Sequence, residues 1–378
     1  MSGVYNVQPA VIGCAILPTV PPDRESLEEL IYRVTRLALA DAKLEIDDID
    51  GIVVAANDQF DGRAISVMAA SGSVGGVDRD ILSTPSAAEH AFVLGALRIA
   101  TGQFRTQLVV AWSPTEASPL YEAERLAADP YFHRQLPLDE LAAAGLQAGA
   151  LEHAAPGTRA AALAVLAKNR RQGARAYPSL AQPGGDNLGP VTRWPLREGM
   201  VGTPVTGAVA MVLAGADEVS RRGVPDPVWV RGMGWATEGS FLGDRDLARL
   251  TSLDAAAGQA YGEAGIDDPA RAFQLAEVAD GTPYQELLAC EGLRLRRRED
   301  WDQAPAIPVN LSGGSLTANP LFCTGLIRIA EVAQQLRGRA GPHQVEGARR
   351  GVAHAASGFA MQYNTVIVLD RDNSGKPQ

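Results

Sequence analysis

The stretch NLSGGSLTANPLFCTGLIRIAEVAQQLRG, Asn310 to Gly338, sets two glycines and an Asn-Pro directly before a helical run. Gly313 and Gly314 let a backbone turn tightly and approach a ligand. Pro320 fits the first turn of a helix, where its missing N–H costs nothing. Asn319 stands at the junction with two roles open to it. It caps the helix, or its side-chain NH2 donates to an oxyanion, although an amide cannot shuttle a proton. Ser86, in Ser83-Thr84-Pro85-Ser86, precedes a second helical run, Ala87 to Thr101. Its hydroxyl reads as an N-cap, or as a nucleophile if a base lies beside it. His90 lies on that helix and reads as a core or interface histidine. The three cysteines, Cys14, Cys290 and Cys323, are scattered and odd in number, which shows neither a disulfide framework nor zinc spacing.

The elements that position these residues come in two similar sets. Ser26 to Ala55 runs helix, acidic turn, strand; Ser26 and Glu29 have capping-box spacing, and Leu27, Leu30, Ile31, Val34 and Leu37 repeat at helical spacing. Thr251 to Asp280 repeats the order, with a strand over Phe273 to Val278. Helix Ala87–Thr101 leads to strand Leu108–Ala111, and helix Gly325–Leu336 leads to strand Gly351–Ala355. Helix–strand alternation in duplicate predicts an α/β protein of layered sheets and helices. The expected halves are 1–220 and 221–378. Between their cores, 113–204 is too long for an ordinary loop and reads as an insertion over a site.

The chain has 378 residues, 46% of them hydrophobic, and a net charge of −10. That excludes nucleic acid as an expected partner. The first residues lack a basic start and an apolar core, so no signal peptide is expected. No uncharged apolar run reaches the ~18 residues of a membrane helix. Unpaired cysteines suit a reducing, cytoplasmic setting.

Four segments, in order, resemble the thiolase superfamily, above all the sterol-carrier-protein-x type thiolases and their lipid-transfer-like bacterial relatives. They are the N-terminal helix with DIDGIVV, then LAVLAKNRRQGARAYPSLAQ, then AEVADGTPYQELLACEGL, and NLSGGSLTANPLFCTGLIRI, which is similar to a Gly-His-Pro loop. The resemblance implies a five-layer αβαβα fold of two duplicated halves with an inserted loop domain. It implies a homodimer, with Ala87 to Ala111 packed at its interface. It also implies a Cys nucleophile at the start of the helix that ends at Gly102, held as thiolate by the helix dipole. That position falls near Pro85, and no Cys stands between Cys14 and Cys290. A second acid/base Cys is expected in the loop of His354 to Leu369, yet none follows Cys323. Asn319 replaces the histidine that binds the thioester oxygen, in a loop one residue shorter. Asp280 matches an aspartate of the family. His354 matches a loop histidine, and Gly358 a glycine whose N–H serves the oxyanion.

Such a site would stabilise an enolate without a thiolate. The expected activity is a cysteine-independent C–C lyase: retro-aldol cleavage of a 3-hydroxyacyl-CoA with a bulky lipid or sterol side chain. The cysteine-free steroid side-chain aldolases of this group work with tyrosines and a small zinc-ribbon/OB-fold partner chain. Tyr363, Tyr284 and His354 are the acid/base candidates, Tyr363 reading otherwise as a half-buried aromatic at the start of the last strand. Ser86, Gly313, Gly314, Arg170 and Arg171 are candidate substrate contacts. Arg170 and Arg171 would meet CoA phosphates, or form only a solvated helix face. No bound cofactor or metal is expected; the CoA thioester is substrate. Two alternatives stand beside the lyase: a non-catalytic acyl-CoA or lipid-binding subunit, and an acyltransferase with Ser86 in place of Cys.

Overall fold

A computed structural model describes residues 7–19, 25–114, 120–181 and 188–372. The leader reading at the N-terminus falls partly on 1–6 and 20–24, outside the described residues. The first half comprises β1 (Pro9–Thr19), α1 (Leu27–Ala42), β2 (Gly51–Ala55), α2 (Asp58–Asp61), α3 (Ser66–Ala70), β3 (Asp80–Thr84), α4 (Ala88–Ala100) and β4 (Thr106–Ser113). An inserted stretch carries α5 (Leu120–Ala127), α6 (Glu140–Ala154), α7 (Thr158–Ala176), β5 (Val191–Arg193) and β6 (Leu196–Arg197). Then come β7 (Thr206–Gly215), α8 (Ala216–Arg222), β8 (Val228–Thr237), α9 (Thr251–Ala264), α10 (Pro269–Ala272), β9 (Leu275–Glu277), α11 (Pro283–Gly292), α12 (Thr324–Arg337), β10 (Arg350–Ser357) and β11 (Tyr363–Asp370).

Local sequence explains the elements. Ser26 and Glu29 close a reciprocal capping box, and Lys43 ends α1 in the left-handed region. Leu30, Ile31, Val34, Ala38 and Leu39 form its buried stripe. β2 and the β4 beside it are buried along their whole length, as strands covered on both faces must be.

The strands repeat one topology twice. The first half orders them β3-β2-β4-β7-β1. β2 lies parallel to β3 and β4; β7 lies antiparallel to β4 and β1. The second half orders them Val309-β9-β10-β11-β8, with the same parallel and antiparallel relations. A short antiparallel pairing, Ala10↔Trp229 and Val11↔Val228, joins the halves into one nine-stranded sheet. α4 and α12 lie together between the sheet halves, in a core with Phe92, Val109, Leu326, Ile329 and Ile367. α1 covers the outer face of the first half; α9 and α11 cover that of the second. The layers therefore run helix, sheet, helix, sheet, helix, the arrangement expected. α6 and α7 pack on α11.

Two expectations need correction. Asn319 and Pro320 do not start the helix: a 3-10 turn, Leu321–Cys323, intervenes, and α12 begins at Thr324. Ala87 to Ala111 is not a free interface, because Ala88, Ala91, Phe92 and Ala96 are fully buried within this chain and β4 is an interior strand. The open edge of the first half is β3, where Leu82 is exposed.

Candidate active site

The start of α4 carries a connected polar group. Ser86 Oγ lies 2.7 Å from His90 Nδ1 and 2.9 Å from Thr84 Oγ1. Ser86 does not cap the helix; the N-cap is Ala87, which offers no side-chain oxygen. A first helical turn without a side-chain cap leaves its N–H groups directed outward and favours negative charge. Glu89 turns the other way, into the layer of α4 and α12, where it is 2% exposed. Ser357 hydrogen-bonds it, and its Oε1 has no partner. Burial raises the Glu89 carboxyl, and the neighbouring His90 opposes that rise.

The second wall is the turn between β10 and β11. Gly358, Ala360 and Met361 all have positive φ, at 72°, 50° and 58°. Two of these are not glycine, and such strain persists only where surroundings enforce it. Arg245 enforces it here: Nη1 donates to Phe359 O and Nη2 to Ala360 O, each at 2.8 Å, while Nε donates to Glu238 at 2.7 Å. Gln147 of the inserted region also donates to Ala360 O. The turn delivers Tyr363, 40% exposed, edge-on to His90 with ring centroids 6.4 Å apart. Ser86, His90, Gly358 and Tyr363 thus share one place. Sequence reasoning missed Arg245 and Glu238 entirely. It passed over His90, although Ser86 and His90 stand at the i, i+4 spacing that brings helical side chains together.

The remaining candidates sit elsewhere. His354 is fully buried on β10, level with Val352 and opposite Val366, so it faces the layer of α9 and α11. Tyr363 shares the opposite face with Ile367. Strand alternation therefore separates two residues expected to work together. Tyr284 is buried in the core between α11 and α6, its hydroxyl spent on Glu152, which with burial raises its pKa. Asp280 is fully buried; it accepts from Asn169 Nδ2 at 2.9 Å and from the Ser315 N–H at 2.6 Å. Burial pushes its pKa up to about 7, with Arg328 opposing. Asn169, Lys168, Glu286 and Asn310 complete this internal network, which ties α7 to the second half.

The glycine pair serves that network and not a ligand. A Cβ on Gly313 would stand 2.4 Å from Gly173 Cα, and one on Gly314 1.9 Å from Asp280 Oδ2. Asn319, 9% exposed, commits an amide proton to Gly202 O at 2.9 Å and pairs with Pro204 and Val205. Arg170 donates to Gly199 O, and Arg171 is exposed. All three cysteines are buried; burial raises Cys14 to about 11 and Cys290 to about 12, and holds Cys323 well above the usual thiol range. None of them is a thiolate at neutral pH.

His354 gives a pH signature. Asn364 Nδ2 donates to Ser252 Oγ and Met361 O, so its Oδ1 accepts from His354 Nε2, and the ring is neutral with Nδ1 bare. Burial lowers its pKa to about 4. An unfolded histidine takes its proton near 6.5. The neutral ring therefore contributes stability above pH 6.5 that drains away as pH falls toward 4. Between pH 7 and pH 5 the loss is about 2 kcal/mol. Urea titrations of wild type and His354→Gln should show their stability difference shift by that amount; an identical difference at both pH values contradicts the assignment.

Comparison with known proteins agrees with this fold. Residues 235–371 match the family described as Thiolase C-terminal domain-like. An acetyl-CoA acetyltransferase of Methanothermobacter thermautotrophicus is 35% identical over 163 residues; the match spans 40% of this chain and 42% of that protein's length. Among solved structures, an Ltp2-ChsH2(DUF35) aldolase superposes with a TM-score of 0.79 at 18% identity, covering 97% of this chain and 98% of that one. A monomeric SCP2-thiolase like protein type 1 from Mycobacterium smegmatis gives 0.74 at 18% identity, covering 98% of this chain and 79% of that one. No helix among the described residues is long and apolar enough to cross a membrane.

Proposed function

We propose that this chain, which resembles the thiolase superfamily, receives an acyl-CoA thioester at the Ser86–His90–Gly358–Tyr363 group and cleaves a carbon–carbon bond there. The substrate is a 3-hydroxyacyl-CoA. Tyr363 takes the hydroxyl proton, the Cα–Cβ bond breaks, and its electron pair forms the thioester enolate. The uncapped first turn of α4 and the Gly358 backbone receive the developing oxyanion. Protonation at Cα then releases a shortened acyl-CoA and a carbonyl product. The observation that carries this reading is Tyr363 itself. It is a half-exposed phenol held against His90 by a strained, clamped turn, in a site with no thiol.

The test is retro-aldol assay over a range of acyl chains, sterol thioesters included, with and without a small zinc-ribbon/OB-fold partner chain. Tyr363→Phe should lower turnover by about 10²- to 10⁴-fold with the thermal midpoint unchanged. Wild type yielding no carbonyl product on any of them overturns the lyase; normal turnover in Tyr363→Phe removes the tyrosine from it. A non-catalytic acyl-CoA-binding subunit is the second reading. It is favoured by Asn319, whose amide is partly spent inside the protein. Calorimetric binding of acyl-CoA without chemistry supports it. Homodimerisation and a cytoplasmic location belong to the same proposal, on the superfamily resemblance and the three free thiols.

A further inference from the structure

We propose that Ser86 is a nucleophile activated by His90, so that this chain forms an acyl-serine from a thioester. The inference rests on the site receiving a thioester, not on the lyase chemistry. A serine hydroxyl is a weak nucleophile at neutral pH unless a base takes its proton. The sequence shows no such base in contact; the fold supplies one at 2.7 Å. Of the two self-consistent directions these hydrogen bonds allow, one suits the step. Thr84 Oγ1 donates to Ser86 Oγ, Ser86 Oγ donates to His90 Nδ1, and the imidazole holds its proton on Nε2. That leaves Ser86 Oγ primed to lose its proton to the ring.

Three further features fit the step. Ser86 is exposed, so a thioester carbonyl can reach it. The uncapped start of α4, a helix of 13 residues, provides N–H donors where the tetrahedral oxyanion forms. Glu89, the buried residue before His90 with one unpartnered oxygen, interacts electrostatically with that ring and, when ionised, favours the imidazolium that the reaction creates. In the first half-reaction the Oγ–carbonyl bond forms as the proton passes to Nδ1. The C–S bond then breaks, and the departing thiolate takes that proton to leave as free thiol. Water, or another acceptor hydroxyl, attacks the ester in the second half. Its proton passes through His90 back to Ser86.

The experiment uses the whole chain with acetyl-CoA and, separately, p-nitrophenyl acetate. Intact mass should gain one acetyl group, and peptide mapping should place it on Ser86. Ser86→Ala should abolish the label. His90→Gln should slow nitrophenol release by about 10²- to 10⁴-fold. Ser86→Cys, a near-isosteric change at an exposed position, should acylate faster than wild type. No acetyl gain in wild type with either probe, a label on another residue, or a label surviving in Ser86→Ala overturns the proposal. Carbonyl release is read in parallel on the 3-hydroxyacyl-CoA substrates. Acyl-enzyme without cleavage upholds the serine and sinks the lyase; cleavage without acyl-enzyme does the reverse.

Discussion

Arg328→Met should destabilise the protein by about 3–5 kcal/mol, the cost of stranding a buried charge. Arg328 lies on α12 and is 1% exposed. Its Nη1 donates to Glu277 Oε2 and to Ser312 Oγ, both at 2.9 Å. Ser312 in turn donates its N–H and hydroxyl to Glu277. Asp280 and Glu331 also lie within its field, and Glu331 is bonded by Tyr177 and His343. One guanidinium therefore faces three buried carboxyls. Methionine keeps much of the volume and removes the charge, so the carboxyls must take up protons or draw in water. A typical domain has only ~5–15 kcal/mol to lose, so folded yield should fall visibly. The double variant Arg328→Met/Glu277→Leu separates charge from packing. An apolar pair of similar volume replaces an ion pair at little cost, so it should recover part of the loss in urea unfolding. A single variant with the wild-type midpoint would show that the pair contributes nothing.

The fold was legible because duplication repeats the order of elements. Ser26 and Glu29 announce α1 and the apolar run of β2 announces a doubly covered strand; the helix–turn–strand order recurs in the second half, although α9 begins without a side-chain cap. The site was less legible, for identifiable reasons. Asn319 looked like a helix cap, but the 3-10 turn Leu321–Cys323 takes up the residues between it and α12. No sequence rule fixes the length of such a turn. His354 and Tyr363 looked like partners in one loop, but they occupy opposite faces of the β10–β11 hairpin. Their relation depends on a register set by the turn at Gly358–Gln362, whose three left-handed residues are not all glycine. Gly313 and Gly314 looked like ligand-approach glycines because glycine signals close approach without naming the neighbour. The neighbours prove to be Gly173 and Asp280, distant in sequence. The Ser86–His90 spacing was in plain view, yet its helix starts at Ala88, so helical spacing alone did not license the contact.

The strain at the turn and the clamp beneath it belong to one argument. Ala360 and Met361 in left-handed conformations cost energy that the turn does not recover within itself. Arg245, paired with Glu238 and almost fully buried, supplies two donors to carbonyls in that turn. Glu238 also accepts from the Ser252 N–H and hydroxyl at the start of α9. The position of Tyr363 against His90 is thus held from the outer helix layer, through the sheet end, to the inner one. A lysine at 245 would keep the charge but lose the fork that meets two carbonyls at once.

Gly314→Ala should leave little or no folded protein, whereas Gly338→Ala should fold with a loss of about 1–2 kcal/mol. Both glycines have left-handed φ, +66° and +71°, so both substitutions carry the same backbone penalty. Their surroundings differ. Around Gly338, which ends α12, a new Cβ meets nothing within 4 Å. At Gly314 the new Cβ would stand 1.9 Å from Asp280 Oδ2 and 2.4 Å from its Cγ. That carboxyl cannot step aside cheaply. It is fully buried, and moving it breaks the bonds from Asn169 and the Ser315 N–H that hold α7 on the second half. The total should exceed ~4 kcal/mol, the range reached when a buried polar network is broken. Soluble yield and urea midpoints of the two variants, measured side by side, isolate the contact from the conformation. Equal losses would mean that the Asp280 side chain yields, and that the glycine pair answers only to its backbone angles.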